Sequence, residues 1–490
     1  MTGGGKVWPT GGRTALLLFA FVWLSCGYFG SWAFNPNNTT RLFAAISLVE
    51  EGDATIDQFQ HLSMDHARFG DHYYTDKAPG MTIMAMPAVW IADKLTGEQS
   101  IYFPPSQGDI GFNKYMILRT WLAAFMSSAL LVALGTVALF WTGLSLTGNR
   151  GAALFGALAY AFATPTWGWA TTIFGHASVG ALLLIGLAGL RYIAVSPELD
   201  ESPRDRSVDG AAALAAFALG WALVVEHQAV FAVFAMLVYG LWATRQLSAA
   251  LRLRLLAVGV VAGLIALAPL AIYNLVAFDT ILRVGYEGVV GFEGMDQGVM
   301  GLTYPKPDVL WEILFGARRG ILWLSPLLVL APVGLVWMTR REEQRSAAWL
   351  CIAGAVIYFL LNAAYIYWDG GNSTGPRHAM PAMAFLGLAL TGFWAIARHP
   401  AWKLLAAALF AVSAFIGLMI ASANVTAYAG EADTLRVEIY ARFMDGNIRA
   451  VPIQWFDWSW TAAIALYGGI AAIFALLIWL SLRRDAKAAV

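Results

Sequence analysis

Apolar runs of membrane-spanning length recur along nearly the whole chain, and no other feature limits its fold so tightly. A helical crossing of a bilayer needs about 20 apolar residues. Twelve runs meet or approach that length, at about 14–34, 117–146, 151–171, 177–195, 210–225, 229–244, 255–277, 320–339, 347–366, 379–396, 404–421 and 461–481. The polar segments between them are too short to house a large soluble domain. A β-barrel would show alternating segments of about ten residues instead. The expected fold class is therefore an all-α polytopic membrane protein, one integral membrane domain over residues 1–490. With 59% hydrophobic and 13% charged residues, the composition excludes an ordinary soluble protein. The first run is long, lacks a small-x-small cleavage site and is followed at once by a polar loop, unlike a cleaved signal peptide. Formal net charge is zero, which suggests no nucleic-acid partner. Cys26 and Cys351 both fall inside apolar runs, so a disulfide framework is not expected.

Lys and Arg in short loops set orientation. Lys6 and Arg13 precede the first run and place the N-terminus in the cytoplasm. The inner loops then carry Arg150, SPELDESPRDRS, Arg245 to Arg254, RREEQR, Arg398 to Lys403, and the C-terminal RRDAK. The apolar piece at about 80–92 contains Pro87 and is too short to cross, so it reads as an interfacial or re-entrant helix. Counting it as a crossing would put RREEQR and RRDAK outside. Three polar loops, about 35–116, 278–319 and 422–460, then face outward and hold most of the acidic residues.

The first outer loop is densely titratable. Between Asn35 and Gly80 it carries Glu50, Glu51, Asp53, Asp57, Asp65, Asp71 and Asp76, with His61, His66 and His72. In GDHYYTDKAPG, Asp76 and Lys77 stand just before a Pro-Gly turn. Lys can pair with a lipid phosphate as a point charge, and Asp can take a proton or hold a metal. A salt-bridged loop anchoring the next helix explains the pair equally well. Apolar residues at Leu42, Ala45, Ile46 and Val49 have helical spacing and suggest an amphipathic helix on the membrane, ended by Gly52. Asp57 follows as a second candidate base.

In the second outer loop, GYEGVVGFEGMDQ contributes Tyr286 and Glu287, and Asp308 to Phe315 reads as a short interfacial helix. Arg318 and Arg319 sit at the outer boundary, where cations suit lipid phosphate or simple snorkelling. YWDGGNSTGPRH gathers Trp368 and Arg377, an aromatic and a cation of the kind that meet sugars and phosphates. His176 and the pair Glu226–His227 lie at outer helix ends, and a structural polar contact is the simpler reading for Glu226. No motif of the HExxH type is present, so any metal site would be assembled from separate loops.

This layout resembles the GT-C clan of membrane glycosyltransferases, in particular the GT39-like bacterial aminoarabinose transferases and protein mannosyltransferases. That group has one crossing, then a large outer loop with two membrane-lying helices, and a second large loop after the seventh crossing. Its first-loop pattern Asp-Glu…Arg…Gly-Asp…Tyr-Phe-Glu-Lys-Pro is matched here by Asn37-Asn38…Arg41…Gly52-Asp53…Tyr74-Thr75-Asp76-Lys77-Ala78-Pro79. HYYTDKAPG, GARRGILWLSP and GPRHAMPAMAF are similar to strings in other bacterial members. Two departures stand out: Asn37-Asn38 replaces the catalytic Asp-Glu, and His176 stands where a second acid is often found.

The resemblance implies a bundle of about 12 transmembrane helices with interfacial helices in the first and fourth outer loops. It implies a multi-pass enzyme of the bacterial inner membrane, both termini cytoplasmic and the active site periplasmic. The implied activity moves a sugar from a polyprenyl-phosphate donor to a glycan, lipid or protein acceptor among the membrane lipids. Asp76 is the first candidate for the catalytic base and Asp57 the second. Lys77, Arg319, Arg377 and Arg41 are expected to hold donor phosphate, and Tyr74, His72, Tyr286, Glu287, Trp368 and His176 to line the substrate site. Some clan members use a divalent metal, and no ligand set for one is readable here. A transporter or flippase of lipid-linked sugars, or a non-catalytic glycolipid-binding member, are the competing readings.

Overall fold

The structure is a computed structural model that describes residues 11–30, 32, 34–196 and 206–487. Lys6 and most of the expected inner loop at 196–207 lie outside the described residues. The chain before the middle of the bundle forms α1 (Gly12–Tyr28), α2 (Pro36–Glu50), α3 (Gly80–Thr96), α4 (Ile110–Ala124) and α5 (Leu130–Thr147). Next come α6 (Arg150–Phe162), α7 (Thr166–Trp169), α8 (Gly175–Val195), α9 (Arg206–Val225), α10 (Val230–Ala243) and α11 (Ala249–Phe278). The second half forms α12 (Pro307–Phe315), α13 (Ile321–Leu324), α14 (Ala331–Thr339), α15 (Glu342–Ala364) and α16 (Ala382–Ile396). It ends with α17 (Pro400–Ser422), α18 (Ala441–Met444), α19 (Val451–Phe456) and α20 (Trp460–Lys487).

Among the described residues, seven helices are long and apolar enough to cross a membrane. Five shorter apolar helices, Gly12–Tyr28, Arg150–Phe162, His227–Ala243, Pro326–Thr339 and Ala382–Ile396, occupy the places of the remaining runs. The protein is an all-α polytopic membrane bundle. Two runs are broken where proline removes a backbone donor. The run at 151–171 stops at Phe162 and resumes after Pro165. The run at 320–339 breaks at Ser325 before Pro326. The run expected from 117 starts at Ile110 instead, because Asp109 caps it by accepting from Phe112 N at 2.6 Å. It then continues through a π-helical turn at Phe125–Ala129 into α5.

Small residues set the helix packing, as van der Waals contact must in a medium as apolar as the side chains. A Cβ on Gly135 would lie 2.7 Å from the Ala181 Cα, which fixes α5 against α8. α9 packs between α8 and α11, and α16 between α6 and α14.

The first polar loop, expected to face outward, differs most from expectation. α2 begins at Pro36 and is buried from Asn37 to Ser47, rather than half-exposed on the membrane surface. Asn35 caps it, its side chain accepting from Asn37 N at 3.1 Å, and α3 covers it. After α2 the chain forms a hairpin, β1 (Ala67–Phe69) paired antiparallel with β2 (His72–Tyr74). The turn between them holds Gly70 at φ 62, a left-handed conformation that glycine takes at little cost.

Candidate active site

β2 leads into the short segment Thr75–Pro79 and then α3. Two glycines draw other segments against it, and a third seats Glu226 against the start of α8. A Cβ on Gly80 would lie 2.7 Å from the Val224 and Val225 backbone, so the start of α3 is seated on the end of α9. One on Gly285 would lie 2.8 Å from the Thr75 carbonyl, which brings the following Tyr286 beside Asp76. One on Gly175, at the start of α8, would lie 2.4 Å from Glu226 Oε1.

Asp76 is 2% exposed, and its Oδ2 accepts from Lys77 Nζ at 2.5 Å. Lys77 Nζ is also 3.5 Å from Asp65 Oδ2. The other carboxylate oxygen, Asp76 Oδ1, is buried without a hydrogen-bond partner. Burial pushes the Asp76 pKa up; Lys77 pulls against this, and Asp65 adds to it. For Lys77, burial opposes the charge, but Asp65 and Asp76 outweigh it and hold the pKa above the usual lysine value. The lysine is therefore cationic, and the carboxylate beside it holds a proton more readily than a free one.

A cavity of about 290 Å³ opens on this pair. Asp65, Asp76, Lys77, Tyr286, Tyr365 and Arg377 all line it, brought together from three segments of the chain. That is near the lower end of small-molecule pockets, about 300 Å³. Arg377 lies 5.2 Å over the Phe174 ring, and its Nε has no partner. Tyr286 lies 5.9 Å from Lys77 Nζ, and burial keeps its hydroxyl protonated. His378 packs 4.9 Å from Tyr365, its Nε2 unpartnered. Burial and then Arg377 hold its pKa well below the usual value, so the ring is neutral.

A second polar layer lies behind the cavity. Arg41 donates to Glu226 Oε1 at 3.2 Å and to the Asn37 carbonyl at 3.1 Å, and also to Asn37 Oδ1. His176 Nδ1 is 3.8 Å from the same Glu226 oxygen. Asn38 Oδ1 accepts from Ile173 N at 3.1 Å. Asn37 and Asn38 thus spend their side chains on the scaffold, although Asn37 also reaches the cavity wall. Across both layers three cations, Arg41, Lys77 and Arg377, face three carboxylates, Asp65, Asp76 and Glu226.

Other residues singled out in the sequence lie elsewhere. Asp57 is at the surface, 2.7 Å from His72 Nδ1 and accepting from Tyr73 N at 2.6 Å; it supports the hairpin and does not line the cavity. The hydrogen bond that His72 donates to Asp57 holds its exposed ring above the ordinary histidine pKa. Tyr74 is buried against Phe69, Tyr273 and Phe278. Glu287 caps its own turn at Val284 N and reaches Arg283 at 4.0 Å. Trp368 packs on the Val309 and Ile313 side of α12, with Arg318 over its ring at 5.6 Å.

Arg319 is fully buried and its donors are committed to protein. They reach the carbonyls of Asp369 at 2.9 Å, Gly371 at 2.9 Å and Arg318 at 3.2 Å, and Thr434 Oγ1 at 2.9 Å. Burial brings its pKa down to about 10. Its neighbour Arg318 pairs with Asp369 at 2.6 Å and donates to the Ala429 carbonyl. These arginines fasten the loop at 369–371, which forms part of the cavity wall.

The site also holds residues that no motif singled out, Asp65, Tyr365 and His378. The string GPRHAMP placed His378 beside Arg377, and that adjacency was the available signal. Among the described residues no group of three or more His, Cys, Asp or Glu could hold a metal ion.

No protein-family model matches the chain, and no curated protein sequence does. Solved structures do. ArnT from Cupriavidus metallidurans in the apo state is 18% identical, with 80% of this chain and 60% of that chain covered and a TM-score of 0.49. ArnT from the same organism bound to undecaprenyl phosphate is 17% identical, with 82% and 63% covered and a TM-score of 0.50. The chain thus matches about six-tenths of the length of these neighbours. At that identity the likeness speaks for the fold, a GT-C-type membrane bundle similar to that of ArnT.

Proposed function

We propose that this protein is a membrane glycosyltransferase that moves a sugar from a polyprenyl-phosphate donor to a lipid-linked or cell-envelope glycan. The observation that carries the reading is the buried Asp76–Lys77 pair, which lines a cavity shared with Arg377 and leaves one carboxylate oxygen without a hydrogen-bond partner. A solved structure of similar fold, ArnT, holds undecaprenyl phosphate, which supports a donor of that class. The Lys/Arg asymmetry of the loops supports a cavity on the side opposite the basic loops, which we take to be the periplasmic face of an inner membrane.

In the mechanism we favour, the acceptor hydroxyl oxygen attacks the anomeric carbon from the face opposite the phosphate. The carbon–oxygen bond to the phosphate breaks, the configuration inverts, and polyprenyl phosphate leaves. Asp76 Oδ1 takes the acceptor proton. Lys77 and Arg377 stabilise negative charge as it develops on the leaving phosphate. Tyr286, Tyr365 and Tyr367 supply ring faces and hydroxyls for the sugar. Arg41, Glu226 and His176 position this layer from behind.

The test compares envelope glycolipids by mass spectrometry in a deletion strain, its complement, and the complement carrying Asp76→Asn. Loss of one defined sugar mass in the deletion and in the Asp76→Asn strain is the expected result. An intact lipid-linked sugar that accumulates with no shortened product would show a transporter instead. Full rescue by Asp76→Asn would remove Asp76 as the base.

A further inference from the structure

At the other end of the bundle, α8 to α11 enclose an apolar groove of about 680 Å³. α9 and α10 meet at Glu226–Ala229, beside the candidate site. α10 then runs away from it for 14 residues, about 21 Å at 1.5 Å per residue. The groove starts at that far end, with Ile193, Thr244 and Arg252, and reaches up to Leu223 and Val233. From Thr244 to Val233 is about 16 Å of helix, close to the roughly 15 Å of one hydrocarbon leaflet.

Helices normally fill such a space with side chains. Here Gly259 and Gly263, where a Cβ would meet nothing closer than 3.6 Å, leave it open. Leu237, Leu241, Leu253 and Leu256 on its walls are each more than half exposed. The mouth is basic. Arg254 is held by Asp209. Arg252 lines the groove and makes no ion pair among the described residues. Arg245 sits nearby, its guanidinium 3.9 Å over Trp242. A slot one leaflet deep, with a cation at its mouth that makes no ion pair among the described residues, matches a chain bearing an anionic head.

We propose that this groove is a specific site for one acyl chain of an anionic phospholipid of the phosphatidylglycerol type, its phosphate set against Arg252. The lipid belongs to the leaflet on the basic side of the bundle. The polyprenyl tail of the proposed donor is a poor occupant, because the donor phosphate at Lys77 would lie at the opposite end of the groove. The assignment does not depend on the transferase reading.

The test reconstitutes the full chain in nanodiscs of equal palmitoyl-oleoyl phosphatidylglycerol and phosphatidylcholine, then counts retained lipids by native mass spectrometry. One phosphatidylglycerol retained in preference to phosphatidylcholine is the expected result. Arg252→Ala should cut that preference about five-fold, the contribution of one basic residue near an anionic surface. Gly263→Trp should expel the lipid, since a Cβ at Gly263 meets nothing within 4 Å. Equal retention of the two lipids, or a preference unchanged in Arg252→Ala, would overturn the proposal. So would displacement by added undecaprenyl phosphate, or a lipid-free dimer through this face.

Discussion

Asp76 and Lys77 are neighbours in sequence and partners across 2.5 Å, and their bond leaves the second oxygen of Asp76 with no donor inside a buried site. An unpaired buried oxygen costs free energy. A chain keeps such an atom where a ligand or a proton completes it. The geometry separates Asp76 from the other acids of the first outer loop, and it makes each proposed role open to measurement.

Asp76→Asn keeps the shape and one polar oxygen but cannot take a proton. Transfer should fall by about 10²-fold or more, the usual contribution of a general base, while binding of a polyprenyl phosphate in a pull-down persists. Activity above a tenth of the original would exclude the role.

Asp57→Asn provides the contrast. Asp57 supports the hairpin at the surface, so transfer should be retained within a few-fold. The effect should appear instead as a small fall in melting temperature. A loss as deep as that of Asp76→Asn would bring Asp57 back as the base.

The pH dependence follows from the direction of the Asp76 shift. Its folded pKa is raised by burial, so the base stays protonated to higher pH than a free carboxylate. The acid limb of the rate profile should lie above the ordinary aspartate value of about 3.9. Asp65 is one of the groups that raise it, and Asp65→Asn should move the limb to lower pH. A limb that stays put or rises would show that another group is titrating.

Arg319 tests the difference between a clamp and a phosphate ligand. Arg319→Ala strands the carbonyls of Asp369 and Gly371 and should destabilise the fold by roughly 3 kcal/mol, as losing charged hydrogen bonds in a buried setting does. Arg319→Lys should rescue little, because an ammonium cannot fork across those carbonyls. Rescue of both stability and activity by lysine would instead favour a simple positive charge.

Gly175→Ala would place a methyl 2.4 Å from Glu226 Oε1. The carboxylate must move, and Arg41 loses its ion-pair partner, keeping only Asn37. A fall of about 1–3 kcal/mol in stability is expected from overpacking. Gly468→Ala in α20, where a Cβ meets nothing within 4 Å, should be neutral or slightly stabilising. Equal behaviour of the two variants would refute the close packing at Gly175.

The helices were legible because a bilayer demands a long apolar run wherever the chain crosses, and each run became a helix or a pair of helices. Prolines 165 and 326 explain the two breaks. The first outer loop was harder to read. α2 mixes Asn, Thr, Arg and Ser with apolar residues, a pattern that fits a half-exposed helix, and only the covering α3 shows that it is buried. Asp76 and Lys77 could be chosen because they sit side by side before Pro79. Asp65 and Tyr365 could not, because contacts between segments far apart in sequence gather them, and His378 showed only as the neighbour of Arg377. Asp57 could not be told from Asp76 for a plain reason: an acid that supports a turn and one that lines a cavity look alike in a string of letters.

Thr434 also donates to the Arg318 carbonyl at 2.7 Å, and Ser373 and Thr374 hydrogen-bond through their amides to Ala427 and Val425. The last outer loop is thereby stitched to the strip of chain that walls the cavity. It is therefore not an independent cassette but part of the cavity's support. Insertions between 425 and 434 would pull on the wall itself, so changes in loop length are better absorbed beyond that stretch, towards α19.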